Sequence, residues 1–584
     1  MNIFFMKRLR ILSILPAIMI LALGACSTGS KYAIVPQPES IESVCCSSCK
    51  VPASIPTYAA DESLIAVAST WAETITKTYA PGTDSTASRH VRIVSDVVLP
   101  TVSLTDKAEE AVLCLAIDTT LAADAYRLTI GKKGIQVAGG EPKAVFWGLQ
   151  SLSQILLQEK ADARGERKLC GVVIEDSPRF AHRGALLDCC RYFFSVDEVK
   201  TFIDMLAINK MNVFHWHLTE DQGWRIEIKK YPKLTEVGSI RKQTVVGRHH
   251  RTEEKNVYDG VPYGPFFYTQ DEAREIVAYA AARFITVIPE IEMPGHCLGA
   301  IAAYPWLSCD GKQKEVACRW GVFADGVVCL GKESTYKFYE DVLDEVCEIF
   351  PGEYIHIGGD EAPRDHWKTC KKCQMLMKKQ GFTHEAELQS YLNGRIEAYL
   401  NAKGRKLIGW DEILEGGVSP SATVMSWRGS KGGIAAAKQG NHVIMTPNSH
   451  CYLDYHQTCN PDSLGENLAP WKHYLPLQVC FEFNPFDQLS EEESAYINGL
   501  QANVWCEFIK TFDHVQFMTL PRMSALAEVA WSKNRTDDYD GFVRRMEKAM
   551  VPTYEYHGYV YAPYVFDGSD KYAVAKEQFV RPAH

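Results

Sequence analysis

The residues best suited to chemistry in this 584-residue chain are two adjacent carboxylates, Asp360 and Glu361, closing the run His356-Ile357-Gly358-Gly359-Asp360-Glu361. A carboxyl pair at the mouth of a pocket suits acid-assisted cleavage of a glycosidic bond, one group protonating the leaving oxygen. The usual retaining pair flanks that bond from different places, whereas successive side chains at a strand end tend to point to different sides. Adjacency is therefore awkward for an acid and a nucleophile. If Asp360 is not the nucleophile, another group must be, and substrate-assisted cleavage is a known exception to the two-carboxylate rule.

These acids need a frame to position them. From His182 onward, short apolar runs alternate with stretches of helical spacing, the signature of repeated β-α units. The strand candidates are Gly184–Asp188, Met211–Leu218, Ile285–Glu290, Tyr354–Gly358, Lys406–Trp410, Thr423–Trp427, His442–Thr446 and Gly499–Trp505. The spacing predicts helices over Val196–Asn209, Thr269–Arg283, Ser334–Phe350 and Glu385–Lys403. Eight such strands imply an α/β fold, a (β/α)8 TIM barrel enlarged beyond the usual ~250 residues by long loops. A doubly wound open sheet competes, but no Gly-rich phosphate loop follows the first strand.

Barrel enzymes build their sites at the C-terminal ends of the strands. Those ends carry Asp188 and Arg191, then Glu220 and Asp221, then Glu290, Glu292 and His296, then Asp360 and Glu361. Strands five and six end on Trp410 and Trp427, Tyr452 and Asp454 follow strand seven, and Trp505 and Glu507 finish strand eight. Helix capping or packing could explain any one of them; their coincidence at every strand end is what marks a site. His215 and His217 share one face of strand two and read as supporting histidines in the core. A His-Glu-x-x-His signature is absent, so zinc peptidase chemistry has no support.

A formal net charge of −10 argues against nucleic acid as a partner, since its binders need a basic footprint. The 12 Trp and 27 Tyr are permissive for carbohydrate. Residues 1–25 read as a leader: Lys7, Arg8 and Arg10 precede the apolar run Ile11–Leu23, too short to span a membrane comfortably. Leu23-Gly24-Ala25-Cys26 resembles a bacterial lipoprotein cleavage box, which makes Cys26 the expected lipidation site. The mature chain is then anchored to the cell envelope and not threaded through it. Residues 26–176 read as a small α+β domain, with two strands around Gly131-Lys-Lys-Gly134 and a helix over Val145–Leu157. Residues 177–540 form the barrel and 541–584 a segment packed on it. Among 19 cysteines, Cys309 and Cys329 are the best candidate for a disulfide. Cys370-Lys-Lys-Cys373 has no second Cys or His pair following at zinc-site spacing, which favours a small disulfide or free thiols.

The run His-x-Gly-Gly-Asp-Glu resembles that of glycoside hydrolase family 20, the β-N-acetylhexosaminidases. So do Arg183-Gly-Ala-Leu-Leu-Asp188-x-x-Arg191, His215-Trp-His217-Leu-Thr-Glu220-Asp221-Gln-Gly-Trp224-Arg225, Pro289-Glu-Ile-Glu-Met-Pro-Gly-His296, Gly409-Trp410-Asp-Glu, Tyr452-Leu-Asp454 and Trp505-Cys-Glu507, in that order. The resemblance implies an exo-acting, retaining enzyme whose nucleophile is the substrate's own 2-acetamido oxygen, giving an oxazolinium intermediate. It implies Glu361 as general acid and base, with Asp360, when ionised, raising the pKa of Glu361, holding the acetamido N–H and stabilising its charge; Tyr452 would position the carbonyl. Trp410, Trp427 and Trp505 would wall the acetamido methyl, while Arg191, Asp454 and Glu507 grip the sugar hydroxyls. Glu220 stands where many relatives have Asp, and His296 with Glu292 would form a supporting pair. The resemblance requires no cofactor or metal; the partners are glycans with terminal β-linked N-acetylhexosamine. The competing readings are a two-carboxylate β-glycosidase acting on sugars without an acetamido group, and a non-catalytic sugar-binding lipoprotein.

Overall fold

A computed structural model describes residues 30–80, 98–250, 252–459 and 473–569; Cys26 and the apolar run before it lie outside these. The first layer is a seven-stranded sheet in the order β1-β7-β5-β6-β4-β2-β3. Its strands are β1 (Ser40–Val51), β2 (Ser54–Ala59), β3 (Thr101–Thr105), β4 (Leu113–Ile117), β5 (Tyr126–Gly131), β6 (Gly134–Gly139) and β7 (Arg167–Asp176). The expected hairpin is β5–β6, whose turn closes on Gly131 opposite Gly134. Gly134 has φ 115° and a Cβ there would stand 2.7 Å from the Val112 carbonyl oxygen, so only glycine fits. Helices Glu62–Thr76 and Pro142–Leu157 pack together on the sheet through Trp71, Leu149 and Leu152, all fully buried.

Eight parallel strands then close into a barrel: β8 (His182–Asp188), β9 (Val213–His217), β12 (Thr286–Glu290), β13 (Tyr354–His356), β14 (Lys406–Trp410), β15 (Thr423–Ser426), β16 (Val443–Met445) and β17 (Ile497–Val504), which pairs back onto β8. Between β9 and β12, a short ribbon of β10 (Thr219–Glu220) and β11 (Gly223–Trp224) extends the mouth. Each apolar run anticipated from the sequence is one of the barrel strands. The lumen is packed by Leu186, Val213, Ile288, Ile408, Met425 and Ile444, with Trp410. Capping boxes at Ser195/Glu198 and Thr269/Glu272 start the helices Val196–Ile208 and Gln270–Ala281, satisfying backbone N–H groups that would otherwise lack partners. Both helices bury an apolar stripe: Phe202, Ile203 and Leu206 in the first, Ala273, Ile276 and Ala280 in the second.

The last described helices touch both units. Tyr79 N–H donates to the His557 carbonyl, and Ala562 N–H donates to that of Leu520. Among the described residues no helix is long and apolar enough to cross a membrane.

Candidate active site

The barrel mouth encloses a cavity of about 640 Å3, lined by Arg191, His296, Asp360, Glu361, Trp410, Trp427, Tyr452, Asp454, Trp505 and Glu507 among others. Glu220 stands behind this wall, between Arg191 and His296. The acids reach the cavity through a turn at the end of β13. Gly358 and Gly359 take φ 65° and 96°, and Glu361 itself takes 46°. A Cβ on Gly358 would meet Glu292 Oε2 at 1.8 Å, so any other residue there would have to displace that carboxylate and take a strained backbone. Gln389 Nε2 clamps it by donating to the Gly359 carbonyl at 2.6 Å. The side chain of Asp360 is 14% exposed and that of Glu361 42% exposed, so the first lies at the floor and the second at the opening.

His296, also in the left-handed region at φ 50°, ties the acids to the opposite wall. Two such non-glycine residues store about 1–3 kcal/mol each, strain typical of functional sites. His296 Nε2 lies 3.6 Å from Glu361 Oε2 and 3.7 Å from Asp360 Oδ2, while Nδ1 lies 2.8 Å from Glu220 Oε1 and 3.1 Å from Asp221 Oδ2. Burial disfavours charge on this ring, but Glu220 and Asp221 outweigh it and push the imidazole pKa well up. The imidazolium then acts on the acids. Burial raises Asp360 to about 7, reinforced by Glu290 and Glu361 against the pull of His296. Glu361, opposed by burial but drawn by the His296 imidazolium 3.6 Å away, falls below the usual carboxylate value. Burial thus favours the neutral form of Asp360 and His296 the charged form of Glu361; the expected rise of Glu361 applies where Asp360 is ionised.

The far end of the cavity is built to grip polar groups. Arg191 Nη1 lies 3.3 Å from Asp188 Oδ2 and Nη2 3.0 Å from Glu220 Oε2, and the guanidinium stands 5.1 Å from the Trp505 ring. Asp188 accepts further bonds from Cys190 N–H (2.8 Å) and Cys506 N–H (3.0 Å), with His217 Nδ1 at 3.1 Å. Despite its burial, Arg191 and His217 hold it well below the carboxylate range. Arg191 Nε, Asp360 Oδ1, Asp454 Oδ1 and Glu507 Oε2 are buried without a hydrogen-bond partner. Each such atom costs about 1–3 kcal/mol unless a ligand satisfies it, and four around one cavity mark a polar ligand's outline. Beside Asp360, Trp410 and Trp505 stand 5.8 Å apart and Trp427 stacks on Tyr452 at 6.2 Å, forming a small aromatic box.

A family model described as glycosyl hydrolase family 20, catalytic domain, matches residues 180–534, and one described as domain 2 of the same family matches residues 31–177. The chain belongs to glycosyl hydrolase family 20. It is 45% identical over 447 residues to a beta-hexosaminidase of Porphyromonas gingivalis, covering 75% of this chain and 55% of that one. It therefore spans little more than half the length of that relative. A beta-hexosaminidase of Akkermansia muciniphila is 34% identical over 457 residues, 77% of this chain and 88% of its own. Among solved structures, a family 20 exo beta-N-acetylglucosaminidase of Vibrio harveyi in complex with N-acetylglucosamine is similar at TM-score 0.76 and 30% identity, covering 91% of this chain and 78% of that one. A beta-N-acetylhexosaminidase of Bacteroides fragilis is similar at TM-score 0.72 and 29% identity, covering 91% and 97%.

Within this family frame the geometry corrects one pairing. His296 pairs with Glu220 and Asp221, not with Glu292, whose Oε1 lies 3.5 Å from His217 Nε2. Glu220 connects Arg191 to His296 directly, so its longer arm links the Arg191 wall to the acid turn. Sequence reasoning did not single out Glu412. It accepts the Trp427 indole N–H at 2.9 Å and is pushed up to about 9 by burial and by Asp360. Nor did it find Arg319, Trp320 and Gly321, which line the cavity from a loop without periodicity. Arg248 and His249 do so from the long loop after Arg241. The acid of Gly409-Trp410-Asp-Glu was the available signal for Glu412, and the length of the loop from Arg241 to Pro265 was that for Arg248 and His249; Arg319, Trp320 and Gly321 offered none.

Proposed function

We propose that the protein is an exo-acting, retaining β-N-acetylhexosaminidase that releases terminal N-acetylglucosamine or N-acetylgalactosamine through an oxazolinium intermediate. The observation that carries this is the unpartnered Asp360 Oδ1 at the edge of the aromatic box. An acetamido group suits that slot: its methyl packs on Trp410, Trp427 and Trp505, its N–H donates to Asp360, and the Tyr452 hydroxyl donates to its carbonyl. The carbonyl oxygen is then held to attack the anomeric carbon, an intramolecular step of high effective molarity. Glu361, at the opening, protonates the departing glycosidic oxygen and afterwards takes a proton from the attacking water. Arg191, Asp454 and Glu507 satisfy their orphaned atoms on the sugar hydroxyls and close the far end, which favours cleavage of a terminal residue.

Where the pair's proton rests on Asp360, it must reach Glu361 before the acid step. A bound acetamido N–H favours ionised Asp360, and an aglycone covering Glu361 favours its neutral form, so substrate drives the transfer within the pair. The test compares aryl β-N-acetylglucosaminide with aryl β-glucoside. We expect hydrolysis of the first alone; comparable rates on both would point to two ordinary carboxylates. Binding of N-acetylglucosamine without hydrolysis of any β-N-acetylhexosaminide would leave a sugar-binding protein.

The same reading places the protein on a bacterial envelope membrane through lipid at Cys26, on the strength of the basic and apolar leader and the Leu-Gly-Ala-Cys box. Cys26→Ala should move the protein from the detergent phase to the soluble fraction. Retention in membranes by that variant would refute the anchor.

A further inference from the structure

We propose that Cys309, Cys329, Cys370 and Cys373 bind a structural zinc ion that fastens the loop after β12 to the helix after β13. Two are distant in sequence from the Cys-x-x-Cys pair, yet one atom from each lies within 4.8 Å of all the others. The Sγ separations are 3.7 Å for Cys329–Cys370, 3.7 Å for Cys329–Cys373 and 3.9 Å for Cys309–Cys373. A disulfide needs about 2.05 Å, so none of these contacts is one. The expected Cys309–Cys329 bond is likewise not formed; both are free. Four thiolates around zinc at about 2.3 Å sit about 3.8 Å apart along the edges of a tetrahedron, the spacing found here.

The surroundings are built to hold that arrangement. Cys370 caps the helix Lys371–Gln380, whose opening turn favours negative charge, and Cys373 lies in that turn. The other pair is brought in by an antiparallel bridge between Ser308 and Val328, with Cys329 N–H donating to the Leu307 carbonyl at 2.7 Å. Gly331 lets the two segments touch: a Cβ there would stand 2.2 Å from the Lys372 carbonyl carbon. Trp367 Nε1 donates to the Val328 carbonyl at 2.9 Å and locks one segment to the other. Cys329 and Cys373 are fully buried, and Cys309 and Cys370 half-buried. No open coordination position is required, so the ion's role is structural and not catalytic.

The ion would matter to the cavity. The loop between Cys309 and Cys329 carries Arg319, Trp320 and Gly321, and the other segment follows the acid turn. Fastening them fixes the wall that faces Glu361, while Asp360 and Glu361 remain held by the barrel.

The full-length chain, extracted in detergent and purified without a metal-binding tag or added metal, should contain about one zinc per molecule by elemental mass spectrometry. Its intact mass should show these four cysteines reduced, and they should resist thiol reagents until a chelator removes the metal. Cobalt substitution should give thiolate-to-metal charge-transfer absorption. Cys309→Ser, at the half-exposed edge, should weaken zinc retention against a chelator by about tenfold or more. KM for a chitobiose-type substrate should rise more than kcat falls. Iron in place of zinc, absence of metal with masses showing disulfides among these cysteines, or undiminished zinc in Cys309→Ser would each overturn the assignment. The metal measurements do not depend on the enzymatic reading.

Discussion

His296 sets the proton chemistry of the site, because its ring nitrogens face four carboxylates within 3.7 Å. The competent free enzyme carries one proton in the Asp360–Glu361 pair. That proton is present below the Asp360 value of about 7 and is lost as pH rises through it. The alkaline limb of kcat/KM should accordingly fall near pH 7. In Asp360→Asn only Glu361 can hold the proton, at its lowered value. The limb of the slowed variant should move to lower pH, and a limb that stays in place removes Asp360 from proton storage. Glu361→Gln should lose about 10²–10⁴-fold on poor leaving groups and far less on activated aryl ones, in steady-state assays with both. Equal losses would contradict its role as the acid. The cavity-lining residues picked from strand ends were legible because a barrel puts those ends at one mouth. The partner of His296 was not: Glu220 and Glu292 are both near neighbours by motif, and only the β10–β11 ribbon decides between them.

Between residue and barrel stands the turn after β13, where two glycines and a strained glutamate replace the last steps of the strand. The apolar run suggested a strand to Gly358; the regular strand ends at His356, backbone bonds to β14 continue at Ile357 N–H and the Gly358 carbonyl, and positive φ at Gly358 and Gly359 then turns the chain. Elsewhere helix periodicity was a good guide, since each helix buries one stripe: the segment expected over Ser334–Phe350 is a helix over Glu333–Ile349. Loops lack any such periodicity, and for that reason the cavity wall at Trp320 and the convergence of Cys309 with Cys373 stayed hidden. The Gly358 turn yields a prediction of its own. Gly358→Ala combines about 1–2 kcal/mol of left-handed strain with a clash against Glu292 Oε2, which must move. Stability by thermal melting should drop modestly, while kcat/KM falls more than about tenfold through displacement of the acids. Near-normal kcat/KM in that variant would show that the turn does not position them.

At the scale of the whole molecule, the two units meet on Asp176, the last residue of β7. It accepts Tyr126 OH at 2.7 Å from its own sheet, Trp531 Nε1 at 3.0 Å from the helix after the barrel, and Lys210 Nζ at 3.1 Å from the β8–β9 connection. Beside it, Arg183 lies between the Trp147 and Trp531 rings, 4.8 and 4.9 Å from their centres. These residues are far apart in sequence, and of them only Arg183 lies in a motif, one that gives no sign of its partners, so the junction could not be anticipated. Burial lowers the pKa of Lys210 despite the attraction of Asp176, a sign that desolvation exceeds the Coulombic gain. The pair therefore adds no net stability through its charges while whole, yet is costly to break from one side. Lys210→Met leaves a buried carboxylate with its Tyr126, Trp531 and Glu39 N–H donors but no cation, and should lower unfolding free energy by about 3 kcal/mol in urea titrations. Because the junction lies at the opposite end of the strands from the cavity, the folded variant should keep kcat/KM within about twofold. A loss of activity without loss of stability would mean that the first unit acts on the site and does not merely brace the barrel.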